Sequence, residues 1–198
     1  MFFSRCNAYV IPIPYYERNR DGSLKEEHWE GDRFPEYVPV TRYDAYDFEE
    51  HRPDVIFIHN PYDNYNYVTS VHPFFYSKNL KRFTDNLVYI PYFITDEISP
   101  DNQEGIEKMK HFCTEPAVIN ADKVFVQSEY MRQIYIDVAT KAAGEDTRGY
   151  WKNKISGLGS PKVDMVLNSN KKDLVIPAKW LKVIQKPDGS WKKIIFYN

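Results

Sequence analysis

The chain has 198 residues, 42% hydrophobic, 27% charged and 16% aromatic, enough for one sizeable core and too apolar for a disordered or low-complexity segment. Its formal net charge of −2 conceals an asymmetry, 16 Lys/Arg against 25 Asp/Glu over residues 1–150 and 10 against 3 over 151–198. The tail lysines are scattered among apolar residues, which reads as a solvated face and assigns no nucleic-acid partner.

Two cysteines, Cys6 and Cys113, form no CxxC pair, as expected of a reduced, intracellular chain. No apolar run approaches the roughly 20 residues of a membrane span, and the first residues do not form a signal peptide. The expectation is a cytoplasmic protein with at most peripheral membrane association.

In chain order, a strand is predicted over 8–13, followed by a polar excursion over 17–53 with at most a short helix near 43–51. Apolar runs predict strands at 54–59, 86–93 and 122–128; those at 55–58 and 124–126 do not alternate with polar residues, the mark of a strand covered on both faces. Helices are predicted from Pro73, where a missing N–H costs nothing, and over 102–113. After Ser128, Met131, Ile134, Tyr135, Val138, Ala139 and Ala142 draw one apolar stripe, with Ser128 as N-cap and Glu129 at the positive end of the dipole. A strand at 154–159, a helix at 176–185, a Pro-Asp-Gly-Ser turn and a strand at 192–198 complete the series. Strands alternating with helices predict an α/β fold: a Rossmann-like open, mostly parallel sheet with helices on both faces. The final strand reads as the start of a further βα unit downstream, or as the closing strand of the same sheet.

In such sheets ligands bind beyond the carboxyl ends of the strands. His59, Asn60, Tyr62 and Asp63 follow the strand at 54–58, Tyr92, Phe93 and Asp96 follow that at 87–91, and Gln127 and Ser128 follow that at 122–126. His59 is a candidate proton carrier or a loop anchor, and His72, before Pro73, a capping or a ligand-binding residue. Tyr65 and Tyr67 read as half-buried rings pinning a loop, His111 as structural or solvated, and His28 and His51 as having no role. No spacing of His, Cys or carboxylates suggests a metal site, and phosphate-cradling GxGxxG or GxxxxGKS and a GxSxG elbow are lacking. "GLGSPK" is not followed by a convincing helix start.

Residues 121–136, "ADKVFVQSEYMRQIYI", and 154–167, "KISGLGSPKVDMVL", resemble the close of the first domain in CDP-glycerol glycerophosphotransferases, teichoic-acid-type polymerases of GT-B architecture. Gly159, Pro161, Lys162 and Asp164 take the motif positions, lysine replacing the usual arginine; a comparable ending occurs in UDP-GlcNAc 2-epimerases. The resemblance implies a Rossmann-like acceptor-side domain over 1–167, a linker with a short helix over 168–190, and the first strand of a second domain from 191. That second domain would take a nucleotide-linked donor, with no cofactor in this one and a small-molecule or polymer acceptor bound here. With an acceptor bound beyond the strand ends, His59 or Asp63 is the candidate catalytic residue, Asp96 being the other position that could stand in for the family's histidine, and Asn60, Tyr62, His72, Tyr92, Gln127, Ser128, Gly159 and Lys162 are the candidate substrate contacts. The family's Trp-His-Gly-Thr-Pro motif is replaced here by "IPYFITDE", without a histidine. The alternatives are a non-catalytic carbohydrate- or protein-binding module and a UDP-GlcNAc 2-epimerase-like enzyme.

Overall fold

The computed structural model describes residues 7–195, which divide into two units, one ending at Ser160 and one starting at Pro161. The division precedes the segment at 161–167 that the sequence reading assigns to the first domain.

The first unit opens without the strand expected at 8–13: Val10 makes only an isolated bridge to Val40. Pro12 and Pro14 remove the N–H donors a ladder needs. The first strand is instead β1 (Tyr15–Arg18), which pairs antiparallel with β2 (Leu24–His28). The polar excursion thus contains a hairpin, turned at Gly22 with φ +83°. Its helix, α1 (Phe48–His51), is capped by the Asp47 carboxylate, which accepts from the N–H groups of Glu49 and Glu50.

Next come β3 (Ile56–Ile58) and β4 (Thr69–Val71). The latter pairs with β1, making a small antiparallel sheet of order β2-β1-β4. The helix expected from Pro73 is broken into a 3₁₀ turn at Pro73–Phe75, α2 (Ser77–Leu80) and a second 3₁₀ turn at Lys81–Phe83. Then follow β5 (Leu87–Tyr89), α3 (Gln103–Met109), α4 (Pro116–Asn120), β6 (Lys123–Val126), α5 (Glu129–Ala143), α6 (Arg148–Lys154) and β7 (Ile155–Gly157).

Strands β3, β5, β6 and β7 lie side by side in that order, all parallel. The protein is therefore mixed α/β, with a four-stranded parallel sheet flanked by helices in the manner of a Rossmann-like open sheet. Register places Ile56, Ile58, Leu87, Tyr89, Val124, Val126 and Ile155 on one face, where they join one core with Met131, Ile134, Tyr135 and Ala139 of α5. Phe57, Val88, Lys123 and Phe125 alternate to the other face, and Phe57 is 55% exposed.

The second unit begins with α7 (Pro161–Leu167), opened by a proline at its first position, a helix start that the sequence reading discounted. It continues with α8 (Ala178–Ile184) and a turn over 186–190 in which Lys186 N–H donates to Ser190 O at 2.8 Å. Of the strand expected at 192–198, the structure shows a single bridge between Gln185 and Trp191 and no strand over 192–195, and 196–198 lie outside the described residues.

Candidate functional site

Four parallel strands present their carboxyl ends to one edge, and side chains stitch the loops that leave it. After β3, the chain turns at Asn60, whose Oδ1 accepts from Tyr62 N–H at 3.1 Å. Burial, and after it the neighbouring Tyr92 in the loop after β5, raises the Tyr62 phenol, and the His59 ring stands edge-on to Tyr92, centroids 6.2 Å apart. His59 and Tyr92 are exposed at the mouth.

The loop after β5 is tied sideways to β6. Gln127 Nε2 donates to Thr95 O at 2.9 Å and its Oε1 accepts from Thr95 N–H at 3.0 Å, imitating a pair of strand bonds. The same Nε2 reaches the Glu97 carboxylate at 3.2 Å, to which Ser128 Oγ donates at 2.5 Å. Ser128 also caps α5 by accepting from Met131 N–H, so Glu97 supplies the negative charge that a helix start favours. Gly157 of β7 lets the strand pass against this start: a Cβ there would lie 2.8 Å from Glu129 N.

Between the ends of β5 and β6 lies a small cleft of about 20 Å³, walled by Pro91, Phe93, Thr95, Gln127, Tyr135 and Gly159 among others. Gly159 is at φ +99°, and open space faces its Cα.

Beneath the loops lies a group of polar side chains that the sequence reading did not connect. Glu115 Oε2 and the Tyr89 hydroxyl are buried without a hydrogen-bond partner. Burial pushes the Glu115 carboxyl up. Burial likewise raises Tyr62, Tyr89 and Tyr135, and the Glu115 charge adds to the rise in all three. Cys113, also buried, has its thiol raised by desolvation. A carboxyl whose pKa is raised by burial is the kind of perturbed group that occurs at functional sites. The sequence signal was an acidic residue at a helix-opening proline inside an otherwise apolar run, "CTEPAVI".

Other expected site residues serve the scaffold. Asp63 is 4% exposed and sits at φ +46°. Its oxygens accept from Ser77 N–H and Ser77 Oγ at 2.7 Å each. Its carboxylate therefore caps α2, so the residue that the sequence offers as a catalytic candidate holds the scaffold in this structure. His72 caps the 3₁₀ turn at Pro73–Phe75, its Nδ1 accepting from Phe74 N–H at 3.2 Å. Tyr65 and Tyr67 are 61% and 89% exposed, not half-buried. Lys162 belongs to the second unit and is exposed in the first turn of α7.

Among the described residues no group of three or more His, Cys, Asp or Glu could hold a metal ion, and no helix is long and apolar enough to cross a membrane. No protein-family model, curated protein or solved structure matches this chain.

Proposed function

We propose that this chain is a Rossmann-like acceptor-side domain of a GT-B-type transferase, acting on a nucleotide-activated glycerol phosphate or sugar in the cytoplasm at the inner face of the membrane. The observation that carries the reading is the bridged set of loops after β3, β5 and β6. It gathers His59, Tyr62, Tyr92, Thr95 and Gln127 at the carboxyl edge of a parallel sheet, where such sheets bind ligands. Tyrosine rings there suit the apolar faces of a sugar or glycerol chain, and side-chain amides its hydroxyls.

In this reading the acceptor lies along the crevice and His59, at its mouth, takes the proton of the attacking hydroxyl. The donor is held by a second Rossmann-like domain that carries the nucleotide site. The test is transfer from CDP-glycerol or a UDP-sugar in a protein containing both domains. His59→Ala is expected to remove turnover while leaving the melting temperature in place, and unchanged turnover refutes the role of His59.

The second reading, a non-catalytic carbohydrate-binding module, draws on the internal engagement of Asp63, Gln127 and Ser128. Acceptor binding without transfer from any nucleotide-linked donor would decide for it.

A further inference from the structure

Tyr46, Phe48 and Phe74 come together beside α1 and wall a pocket of about 350 Å³, rimmed by the carboxylates of Asp44, Asp47 and Glu49. It shares no residue with the cleft between β5 and β6 and has room for a small molecule. Its aromatic wall is braced from behind. Phe48 meets Tyr46 edge-on, centroids 4.8 Å apart, and Phe74 edge-on at 5.7 Å. The His51 ring stacks on Tyr46 at 4.4 Å, and Tyr9 closes on it edge-on at 5.0 Å. Tyr46 and Phe48 are buried by this packing, whereas Phe74 is 41% exposed.

The three carboxylates differ in what they have left to offer. Asp44 is held at both oxygens by the Arg42 guanidinium, at 3.0 and 2.9 Å. Asp47 accepts from the N–H groups of Glu49 and Glu50 through Oδ1 alone, which leaves Oδ2 open. Among the described residues the Glu49 carboxylate accepts no hydrogen bond and pairs with no cation, and no lysine, arginine or histidine lines the pocket. Arg42 is engaged elsewhere, over the Trp29 ring at 4.9 Å from its centroid as well as on Asp44. Anions are therefore repelled. The complement of aromatic walls and uncompensated carboxylates is a positive charge carried on an apolar body, drawn by the rings and the carboxylates together.

We propose that this pocket binds an alkylammonium ion, its alkyl groups against Phe48 and Phe74 and its charge facing Glu49 and Asp47 Oδ2. The site stands apart from the acceptor crevice and does not depend on that reading. A quaternary head draws mainly on the rings, and a primary head adds N–H bonds to the carboxylates.

The test uses the full chain with ¹⁵N-labelled amides at physiological ionic strength, where loose pairing at the surface is screened. It is titrated with choline, with butylammonium, and with the neutral isostere of choline in which a tert-butyl group replaces the trimethylammonium head. At least one of the two cations is expected to give saturable shifts at the amides of residues 44–49 and Phe74. The neutral isostere is expected to bind about tenfold more weakly than choline. Glu49→Gln alters an exposed side chain without partners and is expected to weaken the cation about fivefold while leaving the melting temperature in place. Phe74→Leu keeps apolar volume and removes the ring; it is expected to weaken choline about fivefold and leave the isostere unchanged. Equal affinity for choline and its isostere would overturn the proposal, since the pocket would then recognise shape without charge. No shift with either cation, or shifts scattered over the acidic surface without saturation, would overturn it too. Undiminished binding in both variants would place the cation elsewhere and remove this pocket as its site.

Discussion

Asp63 and Ser77 form a closed pair: the backbone N–H and the hydroxyl of Ser77 each donate to a different oxygen of the same carboxylate, both at 2.7 Å. The Ser77 hydroxyl also accepts from Asn120 Nδ2 at 2.8 Å, so α2, α4 and the loop after β3 share one knot. Replacing Asp63 by alanine leaves buried donors without an acceptor and places alanine at a positive φ. We expect Asp63→Ala to cost about 3 kcal/mol in urea unfolding. Asp63→Asn tolerates the left-handed backbone and keeps one acceptor, and should cost less. Equal, small losses for both would show that the pair contributes little.

Gly157 stands where β7 passes the start of α5. A methyl group there would overlap the Ser128 carbonyl and come within 2.8 Å of Glu129 N. Both atoms are backbone, which cannot swing aside. Gly157→Ala should therefore destabilise the fold by about 2 kcal/mol or more, measured as a lowered denaturant midpoint. A neutral effect would mean that strand and helix can part at no cost.

The Lys154 ammonium is 2% exposed. It donates to Ile119 O at 2.7 Å and to the Tyr150 hydroxyl at 3.1 Å, and lies 5.2 Å from the Tyr150 and Trp151 ring centroids. Burial, with the Lys81 charge adding to it, lowers its pKa from 10.5 to about 8. Between those values the folded chain has released a proton that the unfolded chain still holds, so stability rises with pH across that window. The slope approaches about 1.4 kcal/mol per pH unit. Unfolding midpoints at pH 7.5 and 9.5 should rise for the native chain and stay level for Lys154→Met. A parallel response of the two proteins would remove Lys154 as the cause.

The paired bonds between Gln127 and Thr95 hold the loop after β5 against β6. Gln127→Ala should cost about 1 kcal/mol of global stability and speed amide exchange at Thr95 more than at Val124, in the middle of β6. Uniformly faster exchange would show that the loop opens only with the whole domain.

What was legible in the sequence follows from what is local. The unbroken apolar runs around Ile56, Val88 and Val124 pointed to the parallel strands, but the cover expected on both faces does not hold at β3, where Phe57 is 55% exposed. The stripe from Met131 to Ala139 identified α5, although Ile136 and Thr140, off that stripe, are also buried. The antiparallel sheet was hidden because β1 pairs with β4 across some fifty residues of polar chain, and no periodicity reports a distant partner. The mouth of the crevice, His59, Tyr62 and Tyr92, was readable as polar residues following strands. Glu115 was not: it follows none of the strand ends, and the burial that raises its carboxyl comes only with the fold.

Strands β3, β5, β6 and β7 stand in space in the order in which they occur in the chain. Each parallel strand after β3 is therefore added to an edge already made, and none has to be inserted between two earlier ones. On a ribosome, where the chain emerges from its amino end, this sheet can grow one strand at a time as each becomes available. Every intermediate exposes a single fresh edge, which the next βα unit then covers.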